Sequence, residues 1–342
     1  MKIWFDILTP KQYLFFEYFI QKFRKQHKII STTRRYQQVN GIRKFGTINP
    51  VIIGKHGGKN NVDKLLASLD RTKLLTKKIE KERPDLLVSF CSPEASRVAY
   101  GLGIPHIAFS DSPQAKAVMK LSLPYVTKLL TPWIFPKDDF KEFGINLRNI
   151  MQYRSIDAGI IIKNYKKKKE SKSSKRKTIL IRPEESEAAY IKKTSVTKKI
   201  IERIISDFPN EEKIILSRYK GQTEELKRNF NGKIKIISKP VSGQEILSKV
   251  DCVIGSGGTM TAEAGLLGIP TISLNAVPNR IEDYLVKNKI IVRSESPNRI
   301  SREIFQALND ENVMKKRKQK ARKLVSSFED PYQVLLRTIR AL

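Results

Sequence analysis

Metal-binding and membrane-spanning signals are both missing from this chain. Cysteine occurs twice in 342 residues, at Cys91 and Cys252, in different halves and in or beside apolar runs; both read as buried thiols of a reducing compartment. The three histidines, His27, His56 and His106, lie far from one another and from any cysteine pair, which leaves no metal-ligand spacing. No apolar run approaches the ~18 residues of a bilayer-spanning helix. The N-terminus runs straight into a strand with charges close behind, unlike a signal peptide, and the expected location is cytoplasmic.

Acidic side chains are scarce too. Asp and Glu number 34 against 66 Lys and Arg, a formal net charge of +32. A field of that sign attracts polyanions: nucleic acid, anionic lipid or phosphorylated substrates. Part of the excess is concentrated in 163–177, with nine basic residues and one acid, and in 315–323, with seven and none. Neither run has the interleaved aromatics of a single-strand binder, and no nucleic-acid motif appears, so specific nucleic-acid binding is not expected. The basic surface suits peripheral contact with the anionic inner face of a membrane, or it is simply a set of solvated linkers and helix faces.

What the chain does have is material for two cores: 40 % of it is hydrophobic, and its length suits two average domains. Apolar strands are expected at 2–7, 28–33, 50–53, 86–90, 106–110 and 128–130, then at 178–181, 213–217, 233–237, 251–254, 271–274 and 290–292. Amphipathic helices alternate with them. In the helix expected at 63–83, Leu65, Leu66, Leu69, Leu74, Leu75 and Ile79 fall near the helical period. Phe15, Phe16, Tyr18, Phe19 and Phe23 read as core with one exposed edge, or as an acceptor or membrane contact. Strand–helix alternation implies parallel sheets covered on both faces. The predicted fold class is α/β, with two doubly wound, Rossmann-like domains facing a cleft at the strand C-terminal ends. The expected divisions are 1–162, a basic linker or loop at 163–177, a second domain at 178–330 and a last helix at 331–342.

The richest stretch is 251–274, where a buried strand meets the glycine-rich turn Gly255-Ser-Gly-Gly258, a helix from Thr259 to Leu267 and a second buried strand. Such a turn aims several unpartnered backbone amides at one spot, and glycine lets an anion come close; this is how a diphosphate is held. Glu263 lies one turn after Thr259 on the same helical face, where a carboxylate can accept from sugar hydroxyls beside that phosphate. The pattern points to a nucleotide sugar, against the plainer reading of an α/β turn without a ligand. A dinucleotide fingerprint fails: Gly255 and Gly257 fit, but Met260 stands where the third glycine belongs, and Asn275 where an acidic ribose ligand is expected.

From Gly255 to Pro270 the chain resembles the donor motif of GT-B proteins, which include MurG-like glycosyltransferases and UDP-N-acetylglucosamine 2-epimerases. As a whole it resembles the predicted glycosyltransferases of domain-of-unknown-function family 354. Carrying that likeness are Trp4-Phe-Asp-Ile-Leu-Thr-Pro-Lys11, Gly54-Lys-His-Gly-Gly58, Ser92-Pro-Glu94 with Gly101-Leu-Gly-Ile-Pro105, Arg182-Pro-Glu184 and Ser217-Arg-Tyr219. The resemblance implies GT-B architecture, an N-terminal acceptor-side domain, a C-terminal nucleotide-sugar domain and a final helix that crosses back to the first. It implies glycosyl transfer from a UDP-type donor, with no cofactor and no metal. By position, Ser256, Gly257, Gly258 and Thr259 would hold the diphosphate and Glu263 the ribose. Arg182 and Arg218, each ending an early strand of the second domain, would meet the diphosphate, since guanidinium suits phosphate bidentately. The histidine-bearing glycine loop of MurG-like enzymes is absent from Leu8-Thr-Pro-Lys-Gln12, so acceptor chemistry does not transfer.

Direct displacement at an anomeric carbon needs a base for the acceptor hydroxyl. His56, in a glycine-flexed loop, Asp6, ending the first strand, and Asp111, after the fifth, are the candidates; as plainer readings they are a solvated loop histidine and two helix-capping acids. A lipid-linked acceptor would suit the basic surface. Two alternatives stand beside the transferase: a 2-epimerase-like isomerase sharing the donor site, and a non-enzymatic polyanion-binding protein.

Overall fold

The computed structural model describes residues 1–35, 41, 46–58, 60–165, 176–184, 194–217, 220–239, 241–274 and 278–342. The chain divides into two compact units: Met1–Ile156 with Glu329–Leu342, and Asp157–Phe328.

In the first unit the strands are β1 (Lys2–Ile7), β2 (Lys28–Arg35), β3 (Val51–Lys55), β4 (Leu86–Ser89), β5 (His106–Phe109), β6 (Lys128–Pro132) and β7 (Ile150–Tyr153). Among the described residues they form one parallel sheet in the order β3-β2-β1-β4-β5-β6-β7. Strand order reverses between β1 and β4, and ligands of doubly wound sheets bind outside the carboxyl ends at such a point. Residues 3–7 of β1 are all buried, as a central parallel strand requires. The next helix, Pro10–Phe23, starts on the Thr9 side chain, which accepts from the Gln12 amide, with proline in its first turn. Phe15, Phe16, Phe19 and Phe23 are buried; Phe15 and Phe16 meet Phe90 and Phe109 edge to face, and Phe19 meets Phe109 the same way. These four rings are core, and Tyr18 is their half-buried edge.

The leucines of the Asn61–Glu82 helix divide: Leu75 and Ile79 are buried with Ala67 and Arg71, whereas Leu65, Leu66, Leu69 and Leu74 are exposed. The chain returns to this unit at Glu329, whose amide donates to Arg154 O at 2.8 Å. The helix Pro331–Arg340 is capped by Asp330, which also accepts from Tyr18 Oη at 2.6 Å and pairs with Lys22 at 3.0 Å.

The second unit repeats the plan with β8 (Thr178–Arg182), β9 (Glu212–Leu216), β10 (Lys235–Ile237), β11 (Cys252–Gly255), β12 (Thr271–Ser273) and β13 (Val292–Arg293). The order is β10-β9-β8-β11-β12-β13, all parallel, with the reversal between β8 and β11. Alternate residues fill opposite faces: Ile179, Ile181, Ile215, Cys252 and Ile254 on one, Leu180, Ile214, Leu216 and Val253 on the other. Cys91 and Cys252 are free, buried thiols, pushed up to about 12 by burial.

The sequence reading does not include the short helices Lys116–Ser122 and Asp138–Lys141, nor two further elements. Strand β7 turns only Ile150 and Tyr153 inward, too little apolar periodicity to announce an edge strand. The helix Asp157–Lys163 packs in the second unit against the helix Thr259–Leu266. The division falls ahead of the basic run at 163–177, because the apolar stretch before that run, with Ala158, Ile160 and Ile161 buried, packs in the second unit. No helix of the described residues is long and apolar enough to cross a membrane.

Candidate active site

At the β8/β11 reversal, β11 ends in Gly255, the turn Ser256–Gly258 follows, and the helix Thr259–Leu266 begins. Gly255 pairs with Arg182 across the ladder, so the arginine and the turn share one sheet edge. Glycine is obligatory in the turn. Gly257 has φ +95°, and a Cβ there would lie 2.1 Å from Glu282 Oε2. Gly255 would drive a Cβ to 2.1 Å from Thr261 Oγ1. The helix cap is Gly258, with no side-chain capping bond. Among the described residues, the amides of Gly257, Gly258, Thr259 and Met260 meet no protein acceptor. Open amides at a helix start are able to receive an anion.

Two carboxylates frame this turn. Glu263, one turn into the helix and buried, accepts from the Tyr165 hydroxyl at Oε2. Burial pushes its carboxyl up to about 7, against the lowering effect of the Tyr165 bond. Burial and then the charge of Glu263 raise the Tyr165 phenol above its ordinary value. Tyr165 reaches this position because the helix before it, Asp157–Lys163, lies on the helix that carries Glu263. Gly243, opening the helix Gly243–Leu247, borders both groups: a Cβ there would stand 3.1 Å from Tyr165 Oη and 3.4 Å from Glu263 Oε2.

The second carboxylate, Glu282, sits beneath Gly257. Arg293 Nε donates to its Oε1 at 2.8 Å, while Oε2 is buried without a hydrogen-bond partner. Asn279 holds the place, accepting from the Glu282 amide at 2.9 Å and donating to Gly257 O at 3.3 Å. Arg182 is half-buried and its Nη1 donates to the carbonyls of Leu216 and Ser217 at 2.7 and 3.0 Å, at the end of β9. Ser256 is buried and Gly258 exposed. Arg218 lies outside the described residues.

In the first unit the candidates follow the carboxyl ends of parallel strands, and each is already engaged. Asp6 is fully buried; its Oδ1 accepts from Arg71 Nη2 and Thr32 Oγ1, both at 2.6 Å, and its Oδ2 has no partner. Arg71, also buried, donates to Ile53 O at 3.1 Å and to Glu94 Oε2 at 3.3 Å. Burial disfavours that guanidinium charge, but Asp6 and Glu94 together hold its pKa above the ordinary value. Asp111 takes Lys11 Nζ on both oxygens, at 2.7 and 2.8 Å, and Ser112 Oγ at 2.8 Å. His56 Nδ1 accepts from the Gly58 amide at 3.0 Å. Burial, then Arg34 and Lys64, lower its pKa, so the ring is neutral near pH 7 with its proton on Nε2. In this geometry the Nδ1 lone pair is spent on Gly58. His106 is core, bonded to Ser89 Oγ at 2.9 Å and pushed down to about 3 by burial. Among the described residues no cluster of His, Cys, Asp or Glu could hold a metal ion.

Sequence reasoning missed Arg71, Tyr165 and Glu282. Arg71 had a signal, a charge on the buried stripe of its helix at 67, 71, 75 and 79. Asn279 three residues before Glu282 has the spacing of a capping box, but nothing in that spacing ties it to the turn at Gly257. Tyr165 had none.

Comparison with known proteins agrees with this architecture. The family described as protein of unknown function (DUF354) matches residues 1–341. An uncharacterized protein of Methanocaldococcus jannaschii is 28 % identical over 291 residues, covering 80 % of this chain and 81 % of its own. The UDP-GlcNAc 2-epimerase of Neisseria meningitidis, solved bound to UDP-GlcNAc, superposes with a TM-score of 0.73 at 14 % identity, covering 100 % of each chain. Anabaena HepE, solved in complex with UDP and glucose, gives 0.71 at 13 %, again covering 100 % of both. A glycotransferase of kitacinnamycin gives 0.59 at 13 %, covering 95 % of each. The fold is GT-B, two Rossmann-like units of parallel strands.

Proposed function

This chain belongs to the DUF354 family, and we propose that it is a glycosyltransferase that takes a sugar from a UDP-type donor held in its second unit. The observation that carries the reading is the turn at 256–260: four amides without acceptors, on a glycine that Glu282 and a positive φ enforce. A diphosphate would take those amides, with Arg182 at the same edge and Arg218 after β9 adding positive charge for the leaving group. Glu263 would accept from the ribose hydroxyls. The orphan oxygen of Glu282 needs a donor, and a hydroxyl of the donor sugar supplies one. The acceptor oxygen would attack the anomeric carbon as the bond to the diphosphate breaks, and the acceptor proton would pass to a base. His56 is the base we propose, once its ring turns over and releases Gly58. Asp6 and Asp111, held by Arg71 and Lys11, supply field and position. UDP is favoured because HepE and two UDP-GlcNAc 2-epimerases of the same fold were solved with UDP or a UDP-sugar.

The test is a thermal-shift screen with UDP, GDP, TDP, CMP and their sugars, followed by calorimetry on Glu263→Ala. A shift selective for UDP and a loss of about tenfold or more in affinity are expected, from losing hydrogen bonds worth ~1.5–3 kcal/mol to a charged group. No shift with any nucleotide would end the reading. An epimerase has one observation in its favour, the fold shared with several 2-epimerases. Incubation with UDP-GlcNAc alone separates the two, because isomerised sugar without an acceptor belongs to an epimerase.

A further inference from the structure

The helix Asn61–Glu82 is amphipathic the wrong way round for a helix that ends its packing at its own domain. Its buried stripe is narrow and includes an arginine: Ala67, Arg71, Leu75 and Ile79. On the opposite side, at i, i+3, i+4 and i+7, stand Val62, Leu65, Leu66 and Leu69, exposed to 63, 60, 54 and 58 %. A water-facing helix surface is ordinarily polar, and four large apolar side chains on one face call for cover. Neighbouring helices continue the character. The helix Pro93–Gly101 packs against this one and exposes Tyr100, and the helix Lys116–Ser122 packs against that and exposes Leu121.

Cations outnumber acids beside the apolar face. The long helix exposes Lys64, Lys73, Lys77 and Lys81 against Asp63, Asp70 and Glu80; the second exposes Arg97, and the third Lys120 and Lys116, the latter 3.8 Å from Glu142. On the second and third helices the one acidic residue is Glu94, buried against Arg71. We propose that this helical face of the first unit docks on an anionic lipid bilayer, with the leucines entering the headgroup boundary and the lysines and arginine meeting lipid phosphates. Net charge decides against a second copy as the occupant: it would bring one +32 chain against another, and the two repel. The surface is independent of the turn at 256–260, so either reading can fail alone.

The experiment uses the full chain and two sets of sedimenting vesicles, phosphatidylcholine alone and phosphatidylcholine with about one third phosphatidylglycerol. Three proteins are compared: the unaltered chain, Leu65→Ser/Leu69→Ser, and Lys73→Glu/Lys77→Glu. All substituted positions are exposed, and a thermal melt confirms that each variant folds. Binding is expected to the anionic vesicles only, weakened about tenfold or more in both variants. The leucine variant keeps every charge of the basic runs at 163–177 and 315–323, so its loss assigns binding to this face. Failure of the unaltered chain to bind anionic vesicles overturns the proposal, as does equal binding by the leucine variant. A concentration-dependent dimer in light scattering, abolished by Leu65→Ser/Leu69→Ser, would make the face a protein interface and overturn it equally.

Discussion

If Glu263 receives ribose hydroxyls, UDP binding must be coupled to a proton. The carboxyl titrates at about 7 because burial disfavours its charge. A hydroxyl that donates to it selects the ionised form, so the fraction already ionised sets the apparent affinity. At about pH 6 that fraction is roughly one in eleven, and at about pH 8 roughly ten in eleven; affinity should rise about tenfold between them. Calorimetry in two buffers of different ionisation enthalpy should show close to one proton released per UDP at the lower pH. UDP has a titrating phosphate of its own, and Glu263→Gln removes that ambiguity, since the variant meets the same nucleotide with a side chain that cannot ionise. The ratio of affinities, unaltered over variant, should therefore carry the tenfold rise. A ratio flat in pH would refute the assignment, because it would mean that UDP does not distinguish the two states of this carboxyl. The free protein carries the complementary signature. A folded-state pKa raised from 4.5 to about 7 gives stability that is complete below 4.5 and lost as pH climbs through 7. Relative to Glu263→Gln, the unaltered chain should lose about 3 kcal/mol across that window in urea titrations.

Other substitutions separate the parts of the two units. Gly257→Ala puts a Cβ against Glu282 at positive φ, whereas Gly58→Ala, at φ +73° with nothing within 4 Å, meets strain alone; unfolding titrations should show about 1 kcal/mol for Gly58→Ala and clearly more for Gly257→Ala, and only the latter should lose UDP in calorimetry. Arg71→Met strands Asp6 and Glu94 in the core and should cost about 3–5 kcal/mol in unfolding free energy, with Asp6→Asn in the same chain returning part of it. Tyr165→Phe removes the one phenol on Glu263 and should raise that carboxyl's pKa further, moving the UDP affinity rise to higher pH.

Much of this arrangement is written in local sequence. The turn at 255–258 is visible because no other residue tolerates Gly257's backbone, and the strands because buried parallel strands are apolar runs, as in Ile179-Leu-Ile181. What stays hidden depends on distant neighbours. The period of Leu65, Leu66, Leu69, Leu74, Leu75 and Ile79 announces a helix, but both sides of that helix carry leucine, and only packing against β3 and the next helix decides which side is core. Asp6 and Asp111 look like free strand-end acids until Arg71 and Lys11 arrive from elements 65 and 100 residues away. Tyr165 lies at the edge of a lysine run whose composition says linker, and its role follows only from where the Asp157–Lys163 helix docks.

The two strand-order reversals differ in a way that bears on function. At β1/β4 polar groups are turned on one another: Trp4 donates to Thr32, Thr32 to Asp6, and Arg71 joins Asp6 to Glu94. That ion cluster is buried and, Asp6 Oδ2 apart, its charges are paired, which makes it a clamp on β1, β2, β3 and the neighbouring helices. At β8/β11 the opposite holds. Four amides lack acceptors, Glu282 Oε2 lacks a donor, and Glu263 is kept near neutrality with a phenol on one oxygen. The amides at this helix start can turn to water, but the buried Glu282 oxygen cannot, and an unmade buried bond costs ~1–3 kcal/mol. A single molecule carrying a diphosphate beside hydroxyls would answer all of them, which is why the second unit, and not the first, is where the nucleotide is expected to bind.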